Sequence, residues 1–181
     1  MAITPGPANL IAMSVGNNYG FKKSLPYALG ATCGHNTLLA FIGFGLGQFV
    51  MEGGLFLKIL SYGGAAYICY MGYKTATSTT KLKATDQDRP KFFQGVFEQW
   101  LNPKAWSTSI AGVSAFGMIG DVNLLLIFIG IQFFMVFQAL VVWAFAGSKI
   151  ANYLSDDKLK GFNWIMGSSL ILIALYLVAI G

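Results

Sequence analysis

Charge is what this sequence has least of. Only 10% of its 181 residues are Asp, Glu, Lys or Arg, and just 7 are acidic, while 55% are hydrophobic. Soluble domains carry about 25% charged residues, so the polar coat of a water-facing surface is missing. Histidine occurs once and cysteine twice, with no C-x-x-C spacing. That leaves no support for a metal site or a dithiol redox motif. The apolar runs hold no pair of aspartates, and H-E-x-x-H does not occur. An intramembrane protease would then need Ser107, Ser109 or Ser114 to meet His35 by a contact the sequence does not predict, so no enzyme and no cofactor is expected. No nucleotide-binding motif appears, which argues against ATP as an energy source.

Long apolar runs are what the chain does have. Leu25–Val50, Leu55–Tyr73, Phe92–Met118, Val122–Ala146 and Phe162–Ile180 each approach or exceed the roughly 20 residues that cross a hydrocarbon layer. No strand-like alternation runs through them, so the spans are expected to be helices rather than barrel strands. The mean hydropathy of +0.61 agrees. The fold class expected is an all-α integral membrane protein with one transmembrane domain over residues 1–181. Met1–Val15 is apolar but only about 15 residues long. It has neither the basic start nor the cleavage site of a secretory signal. It reads as the first of six spans, either as a half-span or as a span whose beginning lies upstream of Met1.

The few basic residues are unevenly placed. The first, third and fifth connections hold Lys22 and Lys23; Lys74, Lys81, Lys83, Arg89 and Lys91; and Lys149, Lys158 and Lys160. The second and fourth hold Lys58, beside Glu52 and Asp121. Basic loops stay in the cytoplasm, which puts both termini outside. The net charge of +5 and the pI near 9.2 therefore reflect topology, not nucleic-acid binding. Thr77–Lys91 is a solvated cytoplasmic loop with some contact to anionic lipid.

Two proline-bearing stretches echo each other. "ITPGPANL" (Ile3–Leu10) opens the chain, and "LNPKAWST" (Leu101–Thr108) comes about 98 positions later, pairing Pro5 with Pro103. "GGAAYICYMGY" from Gly63 has a similar echo in "MGSSLILIALY" from Met166. Three spans per half make the halves run oppositely through the bilayer, as in many secondary transporters. The expected pseudo-repeats are about 1–76 and 92–181, joined by loop 77–91. Proline removes a backbone donor and frees a carbonyl, which lipid cannot satisfy. The alternative to a site is a plain kink packed against a neighbour. As a site, two helix N-termini meeting near the midplane suit an anion such as a carboxylate. The residues expected to bind it are Thr4, Pro5, Gly6, Pro7, Asn9, Asn102, Pro103 and Lys104.

Lys104 lies 13 residues beyond Lys91, about 20 Å along a helix. A charge on a lipid face at that depth costs about 2.5–3.5 kcal/mol. It serves as the partner of a substrate carboxylate or of Glu98, unless its stem snorkels to the outer interface. Histidine ordinarily titrates near neutrality, so His35, the only one, is a candidate to carry a coupling proton, or else a hydrogen-bonded interior residue. Glu98 is the second coupling candidate. Gln132 and Gln138 line a cavity or bond between helices. Gly30 and Gly34, and Gly43 and Gly47, have the spacing that lets helices approach closely, and the latter pair permits a homodimer face. Cys33 and Cys69 lie in different spans and keep a transmembrane thiol-electron carrier as the alternative function.

"TPGPANL" (Thr4–Leu10), "GFKKSLPYALGATCGH" (Gly20–His35), "GGAAYICYMGYKTATS" (Gly63–Ser78) and "WLNPKAW" (Trp100–Trp106) together resemble the LysE/RhtB amino-acid exporters, over nearly the whole chain and in order. The resemblance implies a multi-pass protein of the bacterial inner membrane, with about six spans, that exports a small amino acid. The wording is closer to the neutral exporters, including those of cysteine and O-acetylserine, than to the lysine exporters. Protons and the bilayer are then the other partners. Export against a gradient would draw on the proton motive force. One charge across 100 mV supplies about 2.3 kcal/mol, roughly a 50-fold gradient. Three departures stand out. Family members usually have some 10–15 further apolar residues before Pro-Gly-Pro, so an upstream start or a shortened copy is expected. Their asparagine after that run is matched only by Asn9, beyond Ala8. Glu98 has no counterpart in the family pattern.

Overall fold

The computed structural model describes residues 3–45, 54–78, 89–118 and 120–180. Among them are seven α-helices and no strand: α1 (Pro7–Tyr19), α2 (Phe21–Gly43), α3 (Gly54–Ala76), α4 (Phe92–Trp100), α5 (Pro103–Ala115), α6 (Val122–Tyr153) and α7 (Asp156–Ile180). Val122–Tyr153 and Asp157–Tyr176 are long and apolar enough to cross a membrane. Only 17% and 33% of their most apolar windows are buried, whereas the core helix of a soluble protein would hide most of that surface. Their exposed Leu126, Ile127, Ile131, Phe134, Leu172 and Leu175 suit a lipid-facing wall. α2 is also long, at 23 residues, but Thr32, His35 and Asn36 dilute its apolarity, and all three point inward.

The helix starts follow from local chemistry. α1 and α5 are each 13 residues long and carry proline in the first turn, where the missing N–H has no helical partner to lose. The helix-starting counterpart of Pro103 is thus Pro7, not the Pro5 that sequence spacing pairs with it. Asn102, restricted by the proline after it, is extended (φ −92°, ψ 107°), and this separates α4 from α5. Two of the carbonyls released at the break find new donors. Gln99 O accepts from Asn102 N at 3.2 Å, and Trp100 O accepts from Trp106 Nε1 at 2.8 Å. α6 begins on Asp121, whose side chain accepts from Leu124 N.

Apart from Arg89 and Lys91, which precede α4, the described basic residues of the expected cytoplasmic connections stand at helix ends rather than between helices. Lys22 and Lys23 lie in the first turn of α2, Lys74 in the last turn of α3, Lys149 near the end of α6, and Lys158 and Lys160 at the start of α7. A helix keeps its own backbone satisfied past the apolar boundary, and long basic side chains reach water from there. Lys81 and Lys83 lie outside the described residues.

α1 packs on α6, α4 on α2, and α3 on α7. Glycine permits the close crossings. A Cβ on Gly16 would run into the carbonyl of Ala144, and one on Gly147 into that of Met13. Gly30 and Gly34 stand in the same way against Phe92 and Val96. Gly43 packs against Leu125 of α6 within the chain, so it is not available for the dimer face expected of it; Gly47 lies outside the described residues. Two apolar clusters result. One gathers Leu10, Ile11, Tyr27, Leu140 and Ala144 with residues of α3 and α7. The other gathers Leu38, Leu39, Ala105, Trp106 and Leu125.

Candidate functional site

Between these clusters lies a cavity of about 100 Å³. One ordered water needs about 10–15 Å³ on this measure, so the space suits a small solute. It is lined by Gly6, Pro7, Ala8 and Asn9 from the start of α1, by His35 from α2 and by Gln99 from α4. Asn102, Lys104, Ala105 and Thr108 come from the start of α5, and Gln132, Val136 and Leu140 from α6. Two helix starts some hundred residues apart thus open on one space.

Lys104 joins them. From the first turn of α5 its Nζ donates to Thr4 Oγ1 at 3.1 Å and lies beside Gly6, where an added Cβ would come within 2.9 Å of it. Among the described residues it forms no ion pair. The two helix starts are unequal. Asn102 caps its own helix, its Oδ1 accepting from Lys104 N at 3.1 Å, so one donor of α5 is already used. Gly6 offers α1 no side-chain cap, which leaves the positive end of α1 more open toward the cavity. Asn9 is turned back, its Nδ2 donating to Thr4 O at 2.8 Å.

Glu98 stands behind the wall, 1% exposed. Its Oε2 accepts from the Tyr27 hydroxyl and from Gln99 Nε2, both at 3.2 Å, and its Oε1 from Asn102 Nδ2 at 3.4 Å. Three neutral donors therefore hold this carboxyl, in place of the ion pair with Lys104 that sequence allowed. Gln99 and Asn102 touch both Glu98 and the cavity. With its Nε2 turned to Glu98, Gln99 has its Oε1 left as an acceptor. His35 faces the cavity and makes no hydrogen bond among the described residues.

Of the residues expected from sequence, Gly6, Pro7, Asn9, His35, Asn102 and Lys104 come together around the cavity, with Thr4 bonded to Lys104. Pro5 is exposed and Pro103 only starts its helix; neither lines the space. Cys33 and Cys69 are free thiols outside the lining. Gln99 and Thr108 were missed. Gln99 lies at the end of α4, Asn102 is the extended residue between the helices and Thr108 is in α5, so the Asn-Pro break conceals in the sequence that all three share one wall. Gln132, one of two glutamines with two open readings, lines the cavity, while Gln138 is exposed.

The comparisons with known proteins agree in direction. The LysE type translocator family model matches residues 1–181. The cysteine/O-acetylserine efflux proteins of Escherichia coli (strain K12), Shigella flexneri serotype 5b (strain 8401) and Shigella sonnei (strain Ss046) are each 30% identical to this chain over 116 residues. That stretch is 64% of this chain and 59% of each relative, so the chain spans about three-fifths of the length of the curated relatives it matches. No solved structure matches. With a match running from its first residue to its last, the chain belongs to the LysE type translocator family.

Proposed function

We propose that this chain is a secondary active exporter of a small amino acid, neutral or sulfur-containing rather than lysine, driven by the proton motive force across a bacterial inner membrane. The observation that carries the reading is the Lys104 Nζ to Thr4 Oγ1 bond at 3.1 Å, on the wall of a cavity that both proline-started helices enter. A carboxylate entering that space would meet a fixed ammonium and the uncapped start of α1, charge-assisted donors of the kind it binds best. Gln99 Oε1 offers an acceptor for the α-ammonium group. A cationic side chain would be repelled by Lys104, which favours a neutral substrate. The names of the curated relatives, cysteine/O-acetylserine efflux proteins, point the same way.

In this reading α1, α2, α3, the α4–α5 pair, α6 and α7 are six spans forming two inverted three-helix halves, about 1–76 and 92–181. The packing supports it: the first span of each half lies on the second span of the other, and the two third spans lie together. The basic helix ends and loop 77–91 face the cytoplasm, with both termini outside. Glu98 and His35 are the proton-carrying candidates. Glu98 is joined to the cavity through Gln99 and Asn102, a route by which proton binding and substrate binding would influence each other.

Cells expressing the protein and fed mixed dipeptides test it by the amino acids that appear in the medium. The expected result is selective release of one or a few small neutral amino acids, stopped by an uncoupler. Good membrane insertion with no release above control cells would overturn the proposal.

A further inference from the structure

Gln132 is a polar side chain on an otherwise apolar wall. Its neighbours Ile131, Phe133, Phe134 and Met135 are exposed, apolar and suited to lipid. Gln132 is half-buried, lines the cavity and makes no hydrogen bond among the described residues. A membrane-depth amide without a partner is costly unless it faces a wet or occupied space. Gln138, six residues on, is exposed and outside the lining, so the amide that faces the cavity belongs to one register of α6. That register is 132, 136 and 140, successive turns of one helix face, and Val136 and Leu140 line the same cavity.

Apart from His35 on α2, which the exporter reading keeps as a proton-carrying candidate, the remaining polar groups of the lining have occupations. Lys104 bonds Thr4, Asn102 caps α5 and holds Glu98, and Thr108 Oγ1 donates to Lys104 O. Gln99 gives its amide donors to Glu98 and keeps an acceptor. These groups account for the two charged ends that every amino acid shares. Gln132 lies 28 positions from Lys104, on a different helix, and is left for what distinguishes one amino acid from another.

Resting on the exporter reading above, we propose that the α6 face of Gln132, Val136 and Leu140 is the side-chain subsite. Gln132 there selects a short side chain bearing a hydrogen-bonding group, and the two aliphatic residues set the length that fits. A buried amide built to meet such a group is left unpaired by an apolar analogue of equal size, and that is the basis of discrimination.

Full-length protein reconstituted in liposomes and assayed by counterflow tests this with four probes: serine, alanine, cysteine and 2-aminobutyrate. The last two differ by thiol against methyl at nearly constant shape. For the wild type, a preference of about tenfold or more for the polar member of each pair is expected. In Gln132→Met, which keeps the volume and adds no polar group, the preference should fall toward one while total transport of the apolar pair persists or rises. Gln132→Asn should keep part of the preference. An unchanged preference in Gln132→Met would overturn the proposal and leave the exporter reading standing. So would an equal loss for all four probes, which would mark Gln132 as a ligand of the shared amino-acid ends. Wild-type protein that moves none of the four, nor any other amino acid, would overturn the exporter reading and the subsite with it. A methionine on an apolar helix does not impede insertion, and thermal unfolding of each variant checks that the fold is kept.

Discussion

Lys104 lines the cavity and Glu98 stands behind its wall, and the fold treats these two ionisable side chains differently. Lys104 reaches across the space to Thr4, while Glu98 is enclosed by the Tyr27 hydroxyl and two amides. Were they a structural ion pair, each would answer the other and neither would be free to respond to a solute. Separated, one can meet a carboxylate and the other can take or release a proton. If Glu98 carries the coupling proton, Glu98→Gln keeps the hydrogen-bonded shape and removes the titration. We expect that variant to exchange substrate across the membrane at near wild-type rates but to lose accumulation against a gradient. Exchange and uphill export measured side by side decide it, and uphill export at the wild-type level would remove Glu98 from the coupling role. The lysine was legible from sequence because a charge 13 residues past Lys91 stands out in an apolar run. The enclosure of Glu98 was not, because Tyr27 comes from 71 residues away.

At the scale of the helices, the same division between local and distant causes appears. The α4–α5 break was readable from Asn-Pro, since the restriction on the residue before proline is local. That Asn102 turns its oxygen to Lys104 N, and so occupies a donor that sequence reading assigned to an anion, depends on a rotamer and was not readable. Asn102→Ala should destabilise the protein by about 1 kcal/mol through the lost cap, and more where Glu98 loses a donor as well. Thermal unfolding in detergent measures this, and an unchanged transition would show that the cap contributes nothing. A second junction joins α1 to α7. Asn17 and Asn18 donate to Asn163 Oδ1 at 2.8 and 3.4 Å, and Asn163 Nδ2 returns a bond to Asn18 Oδ1 at 2.9 Å. All three are buried. Asn163→Ala leaves Asn17 Nδ2 and Asn18 Oδ1 without their partner, while Asn18 Nδ2 keeps Ser14 O, and should cost about 1–3 kcal/mol. For a chain of this size that is a fall of about 2–4 °C in Tm for each kcal/mol.

For the whole molecule, composition was enough to identify an apolar helical membrane protein, because scarcity of charge is a global property. The span boundaries were less legible. Lys22 and Lys23 read as a loop yet stand in the first turn of α2, since helices outlast their apolar stretch. Pairing of the helices depends on close crossings such as Gly16 against Ala144, and single-sequence spacing does not say which partner a glycine meets. The orientation proposed from charge is open to a direct check. In a background with Cys33→Ser and Cys69→Ser, a membrane-impermeant maleimide should label Asp121→Cys in intact cells. It should label Lys158→Cys only after the membrane is opened; the reverse pattern would invert the topology.

In the proposed exporter, the cavity between the starts of α1 and α5 holds an amino-acid carboxylate against Lys104. Equilibrium binding to purified protein tests it most directly, using the amino acid found by the efflux screen, its carboxamide, and the wild type beside Lys104→Ala. Loss of a charge-assisted hydrogen bond costs about 1.5–3 kcal/mol, roughly 10- to 100-fold in Kd. The carboxamide should bind the wild type more weakly than the amino acid does. Lys104→Ala should weaken binding of the amino acid by that factor and nearly erase the difference between the two ligands. Equal affinity of wild type and folded Lys104→Ala for the amino acid would contradict that placement.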